Sequence, residues 1–204
     1  PNIMSKEITR VCIQSINKYT TEPHEIWVVD NNSPNKYSRW LNDIPFVNVV
    51  FNKTEPINPF SAKKYRTFRL FNQHKMGDQF KDASYANAIG LEIGIRCIEP
   101  STKYIFTIHS DTLVLKDNWL SYFRSKLNDE VKIVSFRKDP RRVNALHIGG
   151  MLIDFTLFKK LDMSFMPNMR QERYPDLPEY DVGDKITLEI LKNNYKTFVC
   201  KNTF

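Results

Sequence analysis

Acidic and imidazole side chains follow two apolar runs that are typical of buried strands. Asp30 ends the run Glu25-Ile-Trp-Val-Val-Asp30, and His109-Ser110-Asp111 follows the run Tyr104-Ile-Phe-Thr-Ile108. In open α/β sheets, ligands bind at the carboxyl ends of the strands. A carboxylate there can accept a hydrogen bond from a nucleobase or a ribose hydroxyl, or it can ligate a metal. Asp and Asn also begin turns, which is the competing structural interpretation.

His109 and Asp111 are two residues apart, so their side chains point to one face if the strand continues through them. An imidazole and a carboxylate that converge could hold a divalent cation. Mg²⁺ and Mn²⁺ prefer about six ligands, so a bound diphosphate would supply further oxygens, and the imidazole favours Mn²⁺ over Mg²⁺. The alternative is a turn in which Asp111 accepts hydrogen bonds from backbone amides.

A third acidic group, Tyr180-Asp181-Val182-Gly183-Asp184, precedes the last helical segment. Asp181 suits a helix N-cap, and Asp184 suits the positive end of the helix dipole. The functional interpretation is a general base that takes a proton from a hydroxyl. Sequence position alone leaves both interpretations open.

Apolar periodicity predicts the elements that position these groups. Helices are predicted over 8–19, 36–43 (weakly), 83–97, 118–127 with Asp117 as N-cap, 155–161 and 182–193. Strands are predicted over 25–30, 47–51, 104–108, 131–136, 146–153 and 196–200, with a long loop over 52–80. Strands that alternate with helices predict one α/β domain over 1–204, with a mostly parallel central sheet flanked by helices.

The composition is that of an ordinary globular domain, with 41% hydrophobic and 26% charged residues among 204. No run of about 18 apolar residues and no opening signal peptide is present, so we expect a cytoplasmic protein with at most peripheral contact at the inner face of the membrane. The net charge of +7 favours an anionic partner. Cys12, Cys97 and Cys200 are far apart, which predicts no disulfide and three thiols in the core.

Five segments, taken in order, carry a family resemblance. They are Ile26-Trp-Val-Val-Asp-Asn-Asn-Ser33, Ser84-Tyr-Ala-Asn-Ala-Ile-Gly90, Tyr104-Ile-Phe-Thr-Ile-His-Ser-Asp111, Gly149-Gly150 and Tyr180-Asp-Val-Gly-Asp184. Together they resemble the family-2 glycosyltransferases, which have the Rossmann-like GT-A fold of the nucleotide-diphospho-sugar transferases. The turn Val-Val-Asp-Asn-Asn-Ser is the most specific segment.

The resemblance implies a binding site for a nucleoside-diphosphate sugar. Asp30 would contact the base, and Asn32 belongs to the same turn. Asn87 would lie on the helix behind the donor site, and Gly149 and Gly150 would line the pocket of the donor sugar and the acceptor.

The resemblance also implies the reacting groups. His109-Ser110-Asp111 would match an Asp-x-Asp motif in which Asp111 and His109 hold Mn²⁺ or Mg²⁺, with Ser110 beside the donor. Asp181 would be the catalytic base, with Asp184 as the alternative, because one extra residue separates these acids relative to the family pattern. The chain opens at Pro1-Asn2, where that family's first strand would already have ended, so we expect an N-terminally truncated domain that lacks this strand.

The expected activity is inverting transfer of a sugar from a UDP- or GDP-linked donor to a hydroxyl of a saccharide or a lipid-linked glycan, with no nucleic-acid partner. A catalytically degenerate relative that only binds nucleotide sugars is the first alternative. A sugar nucleotidylyltransferase would need a Gly-rich loop, which is not visible. The third alternative is a basic domain that binds nucleic acid, because 13% of the residues are aromatic and could stack on bases. These aromatic residues lie mostly inside apolar runs, which core packing explains better.

Overall fold

The computed structural model describes residues 5–53, 76–140, 143–167 and 180–201. The helices are α1 (Lys6–Tyr19), α2 (Asn35–Ser38), α3 (Met76–Cys97), α4 (Trp119–Arg124), α5 (Phe155–Lys160) and α6 (Asp184–Lys192), with a 3₁₀ segment at Arg39–Asp43. The strands are β1 (Ile26–Asn31), β2 (Val47–Asn52), β3 (Tyr104–Ile108), β4 (Val131–Ser135), β5 (Lys138–Asp139), β6 (Ala145–Leu146), β7 (Gly150–Asp154) and β8 (Lys196–Val199).

The described strands form an α/β structure with three sheets. β1 and β2 form a parallel pair, β5 and β6 an antiparallel pair, and the central sheet has the order β3-β7-β4-β8. β7 runs antiparallel to both of its neighbours, whereas β4 and β8 are parallel. The prediction of a mostly parallel central sheet is therefore wrong, and the sheet is mixed. The chain returns from β4 to β7 through the β5–β6 hairpin, and a connection without a crossover helix brings a strand back in the opposite direction.

Two apolar clusters hold the elements in place. The larger one lies on the central sheet, where Ile133, Met151 and Ile153 are fully buried against Phe165 and against Ile186 of α6. Each such side chain contributes about 1.5–3 kcal/mol when it leaves water. This cluster fixes the start of α6, and with it Asp181 and Asp184, beside the sheet.

The smaller cluster joins α1 to the β1–β2 pair. Cys12 and Ile13 of α1 pack with Val28 of β1 and with Val114, which lies in the segment after β3. The N–H of Val114 also donates to Oγ of Ser15 over 3.0 Å. Helix α1 therefore connects the end of β3 to the parallel pair.

The strand predicted over 146–153 is interrupted. β6 ends at Leu146 and β7 begins at Gly150, so His147–Gly149 forms a turn between two short strands. The N–H of Leu146 donates to Oγ1 of Thr187 over 3.0 Å, rather than to a strand in the central sheet. The hairpin that contains β5 was not predicted.

Three predicted helix boundaries also differ from the structure. The N-cap position of α4 is Asn118 and not Asp117; Asn118 has a left-handed φ of 61°, and its side chain makes no capping hydrogen bond. α6 begins at Asp184 after Gly183, whose φ is 76°, so Asp181 is not its N-cap. α3 begins at Met76 rather than at residue 83, which shortens the predicted 52–80 loop; residues 54–75 of that loop lie outside the described residues.

The cysteine prediction holds in part. Cys12, Cys97 and Cys200 are all free thiols, but only Cys12 is buried, while Cys97 is exposed at the end of α3. Within the described ranges, no helix combines the length and apolar character that crossing a membrane requires.

Candidate functional site

A pocket of about 240 Å³ lies between α3, the end of β3, the β5–β6 hairpin and the start of α6. It brings together four predicted site residues, namely Asn87, His109, Asp181 and Asp184. The polar side chains of Ser84, Asp139 and His147 also line it. Ser84 and Asp139 were not predicted as site residues, whereas His147, close to Gly149-Gly150, is a candidate metal or phosphate contact from the sequence, with a surface or core histidine as the commoner interpretation. The pocket therefore combines carboxylates, imidazoles and an amide in a small volume.

The two acids at the start of α6 occupy different positions. Asp184 is 3% exposed, and its Oδ2 accepts the backbone N–H of Asp181 over 2.8 Å. Asp181 is half-buried, and its Oδ1 accepts the N–H of Val182 over 2.7 Å. Asp184 thus holds the backbone of Asp181, and Asp181 is the more accessible of the two carboxylates.

Gly149 lies in close contact with two imidazole rings. A Cβ at this position would lie 2.9 Å from Nδ1 of His109 and 2.9 Å from Nδ1 of His147, so only glycine fits between the rings as they stand. The carbonyl of Gly149 accepts the N–H of His109 over 3.2 Å. A Cβ at Gly150 would overlap the ring of Phe136. The glycine pair lets both histidines approach the backbone behind the pocket.

The surroundings of His109 favour the neutral form of its imidazole. Its Nε2 is buried and has no hydrogen-bond partner among the described residues. Burial lowers the pKa of His109, and the nearby charge of Asp111 opposes that shift only in part. A neutral imidazole with an unpartnered nitrogen suits a divalent cation.

Asp111 does not join His109 in the pocket lining. β3 ends at Ile108, so the alternation that would place both side chains on one face does not continue, and Asp111 is exposed in a turn. In the part of the chain that the structure describes, no three His, Cys, Asp or Glu side chains converge on a metal position. That these two residues hold a cation therefore stays a prediction. Ser110 lies between them, partly buried and outside the pocket lining.

The turn after β1 is braced by buried polar contacts. Asp30 is 1% exposed, and its Oδ2 accepts the N–H of Ser33 over 3.0 Å. Asn31 donates from Nδ2 to the carbonyl of Ala86 over 2.7 Å, and its Oδ1 accepts from Asn52 over 3.2 Å. Asn32 is exposed, with a left-handed φ of 57°. Asp30 and Asn32 therefore lie outside the lining of the pocket that contains His109 and Asp181.

Comparisons with known proteins assign no family to the chain. No protein-family model matches the sequence, and no curated protein matches it. Among solved structures, mouse xyloside xylosyltransferase 1 in its apo form aligns with 78% of this chain at 12% identity and a TM-score of 0.42. The alignment spans 64% of that protein. What the structure shows is a mixed α/β fold, and the chemistry must be argued from the pocket.

Proposed function

We propose that the chain transfers a sugar from a nucleoside-diphosphate sugar to an acceptor hydroxyl, with inversion at the anomeric carbon. The observation that carries this proposal is the pocket in which the half-buried Asp181, held by Asp184, shares a small volume with His109 and Asn87. The order of the sequence motifs, which resembles that of family-2 glycosyltransferases, supports the same activity.

In this reaction Asp181 is the general base. Its carboxylate takes the proton of the acceptor hydroxyl while the hydroxyl oxygen attacks the anomeric carbon. The new carbon–oxygen bond forms on the face opposite the diphosphate, and the bond to the diphosphate oxygen breaks. The nucleoside diphosphate leaves with that electron pair. Asp184 fixes the position of Asp181 through the 2.8 Å hydrogen bond from the Asp181 N–H.

A bound Mn²⁺ or Mg²⁺ would neutralise the charge that develops on the departing diphosphate. Nε2 of His109 and the carboxylate of Asp111 would hold it, together with oxygens of the diphosphate. The nucleotide, UDP or GDP, would bind near the turn after β1. There Asn32 is exposed, whereas Asp30 is buried and braces the turn.

The test is release of nucleoside diphosphate from a panel of UDP- and GDP-linked sugars, with simple saccharides as acceptors. Asp181→Asn should keep nucleotide binding within about twofold and reduce release by at least about 100-fold, the scale on which general bases act. Asp129→Asn, at an exposed position before β4, is the matched control and should behave as wild type. Full activity in a folded Asp181→Asn variant would remove Asp181 from this role.

A protein that binds nucleotide sugars without transferring them is the second candidate. The exposure of Asp111, outside the lining of the pocket, is the observation that favours it, because a catalytic metal needs that carboxylate close to the diphosphate. Wild-type protein that binds a nucleotide sugar but releases no nucleoside diphosphate, with any acceptor in the panel, would select this candidate.

A further inference from the structure

Arg137 follows the carboxyl end of β4 and has no part in the reaction proposed above. It directly precedes β5, which pairs with β6 in an antiparallel hairpin. The N–H of His147 donates to the carbonyl of Arg137 over 3.0 Å, so the hydrogen bonds of the hairpin continue past β5 and place Arg137 opposite His147. The backbone of Arg137 is therefore tied to a residue that lines the pocket.

The strand pattern places the side chain of Arg137 on the pocket side of this hairpin. Directly opposite residues of an antiparallel pair share a face, and so do residues two apart along one strand. Arg137 is opposite His147 and two residues before Asp139, and both of these residues line the pocket. The alternation gives the intervening Lys138 the opposite face.

The charge of Arg137 acts on the pocket from its rim. Burial lowers the pKa of His109 most strongly, and the positive charge of Arg137 lowers it further. Salt screens exposed charges beyond about 10 Å, so this effect requires a guanidinium close to the imidazole. Arg137 is exposed, and among the described residues no ion pair or hydrogen bond engages its guanidinium.

A guanidinium at this place suits a phosphate group. Arginine stays positively charged throughout the physiological pH range and offers two parallel N–H donors that match two phosphate oxygens. Ligands of α/β sheets lie at the carboxyl ends of the strands, and Arg137 follows that end of β4 as His109 follows that end of β3. A neutral hydroxyl would gain less from this side chain than a charged phosphate, because hydrogen bonds between ionised groups are the stronger ones.

We propose that Arg137 binds the diphosphate of the nucleoside-diphosphate sugar through two N–H groups of its guanidinium. This inference rests on the proposed function, because that function supplies the diphosphate. As the bond to the sugar breaks, negative charge grows on the departing diphosphate oxygen, and a guanidinium already in place stabilises it. Arg137 thereby adds to the proposed function a residue that binds the leaving group.

Three substitutions separate the charge of Arg137 from its geometry. Arg137→Gln removes the charge, whereas Arg137→Lys keeps the charge but lacks the pair of parallel donors. Lys138→Gln is the matched control, because it removes the same charge from the adjacent exposed residue. All three variants should unfold at the same urea concentration as wild type, since the changes affect exposed side chains and leave the backbone hydrogen bonds in place.

The experiment is calorimetric titration of wild type and these variants with UDP and GDP in the presence of Mn²⁺. For the nucleotide that wild type binds more tightly, Arg137→Gln should bind at least about tenfold more weakly, which is about 1.4 kcal/mol. Arg137→Lys should bind about threefold more weakly than wild type, and Lys138→Gln should stay within about twofold. Added salt should weaken binding more in wild type than in Arg137→Gln, because the variant has one charge pair fewer to screen.

An affinity in Arg137→Gln within about twofold of wild type would overturn the assignment of Arg137 to the diphosphate. An equal loss in Lys138→Gln would overturn it as well, because it would show a general effect of surface charge. Weaker binding in an Arg137→Gln variant that also unfolds at lower urea would show that Arg137 is only structural. Failure of wild type to bind either nucleotide would refute the proposed function itself, whereas wild-type binding that Arg137→Gln leaves unchanged would refute this inference alone.

Discussion

Replacing Asp184 with alanine removes the acceptor that holds the start of α6. Oδ2 of this 3% exposed carboxylate accepts the backbone N–H of Asp181 over 2.8 Å. The carboxylate also lies in the first turn of α6, where a negative charge interacts favourably with the helix dipole. We therefore expect Asp184→Ala to destabilise the fold and to release Asp181 from its position.

The magnitude follows from these two contacts. A hydrogen bond to a charged group contributes about 1.5–3 kcal/mol, and the helix dipole adds about 0.3–1 kcal/mol. The free energy of unfolding should therefore fall by about 2–4 kcal/mol in Asp184→Ala. Asp184→Asn keeps an oxygen acceptor and should lose about 1 kcal/mol. Asp181→Ala should lose less than Asp184→Ala, because the side chain of Asp181 is only half-buried, whereas that of Asp184 is buried.

Urea denaturation followed by circular dichroism measures these differences, and the midpoint of thermal unfolding of Asp184→Ala should fall by about 5–10 °C. Binding of a nucleotide sugar, measured on the folded variants, then shows whether loss of the brace alters the pocket. Asp184→Ala within about 0.5 kcal/mol of wild type, or a larger loss in Asp181→Ala, would refute the assignment of Asp184 as the residue that positions Asp181.

Three further outcomes are expected. In Gly149→Ala the new methyl lies 2.9 Å from two imidazole nitrogens, so the free energy of unfolding in urea should fall by about 1–3 kcal/mol. Gly94→Ala, in helix α3 with a valine methyl at 3.3 Å, should be neutral or stabilising by up to about 1 kcal/mol. The reverse order of stability would contradict this packing. With a thiol reagent at pH 8, the exposed Cys97 should react quickly and Cys12 slowly, since burial raises the pKa of Cys12 to about 11; equal rates would contradict its burial. Folding favours the protonated thiol of Cys12, so its contribution to stability is fully present below pH 9 and is lost as the pH rises through about 11. The free energy of unfolding of Cys12→Ala should therefore depend less on pH in that window than the free energy of unfolding of wild type. The same pH dependence in both proteins would refute the raised pKa.

Individual helices and strands could be predicted because each one has its own apolar pattern in a short stretch of sequence. The apolar, β-branched runs predicted β1 (Ile26–Asn31) and β3 (Tyr104–Ile108) to within a residue, and the helical stripe predicted α1. The direction of β7 was not accessible, because strand pairing depends on partners far away in the sequence. Its place between β3 and β4 follows from the β5–β6 hairpin, which no periodicity indicated.

Some residues of the candidate site could likewise be predicted from the sequence, and others could not. His109 and Asp181 could be selected from local motifs and Asn87 from the family resemblance, and the fold brings all three to one pocket. The burial of Asp30 and the exposure of Asp111 could not be predicted, because they depend on where β1 and β3 end in three dimensions. The hydrogen bond from the N–H of Gly149 to Nδ1 of His147 depends on the orientation of one backbone N–H, for which the sequence carries no signal except the following glycine pair.

The most direct test of the central claim, a binding site for a nucleoside-diphosphate sugar at this pocket, is calorimetric titration of UDP and GDP with and without Mn²⁺. The account predicts that at least one of the two nucleotides binds in a metal-dependent manner. That binding should weaken at least about tenfold in His109→Ala and in Asp111→Ala, and should be unchanged in Asp129→Ala. Absence of binding by either nucleotide, with or without the metal, would contradict the claim.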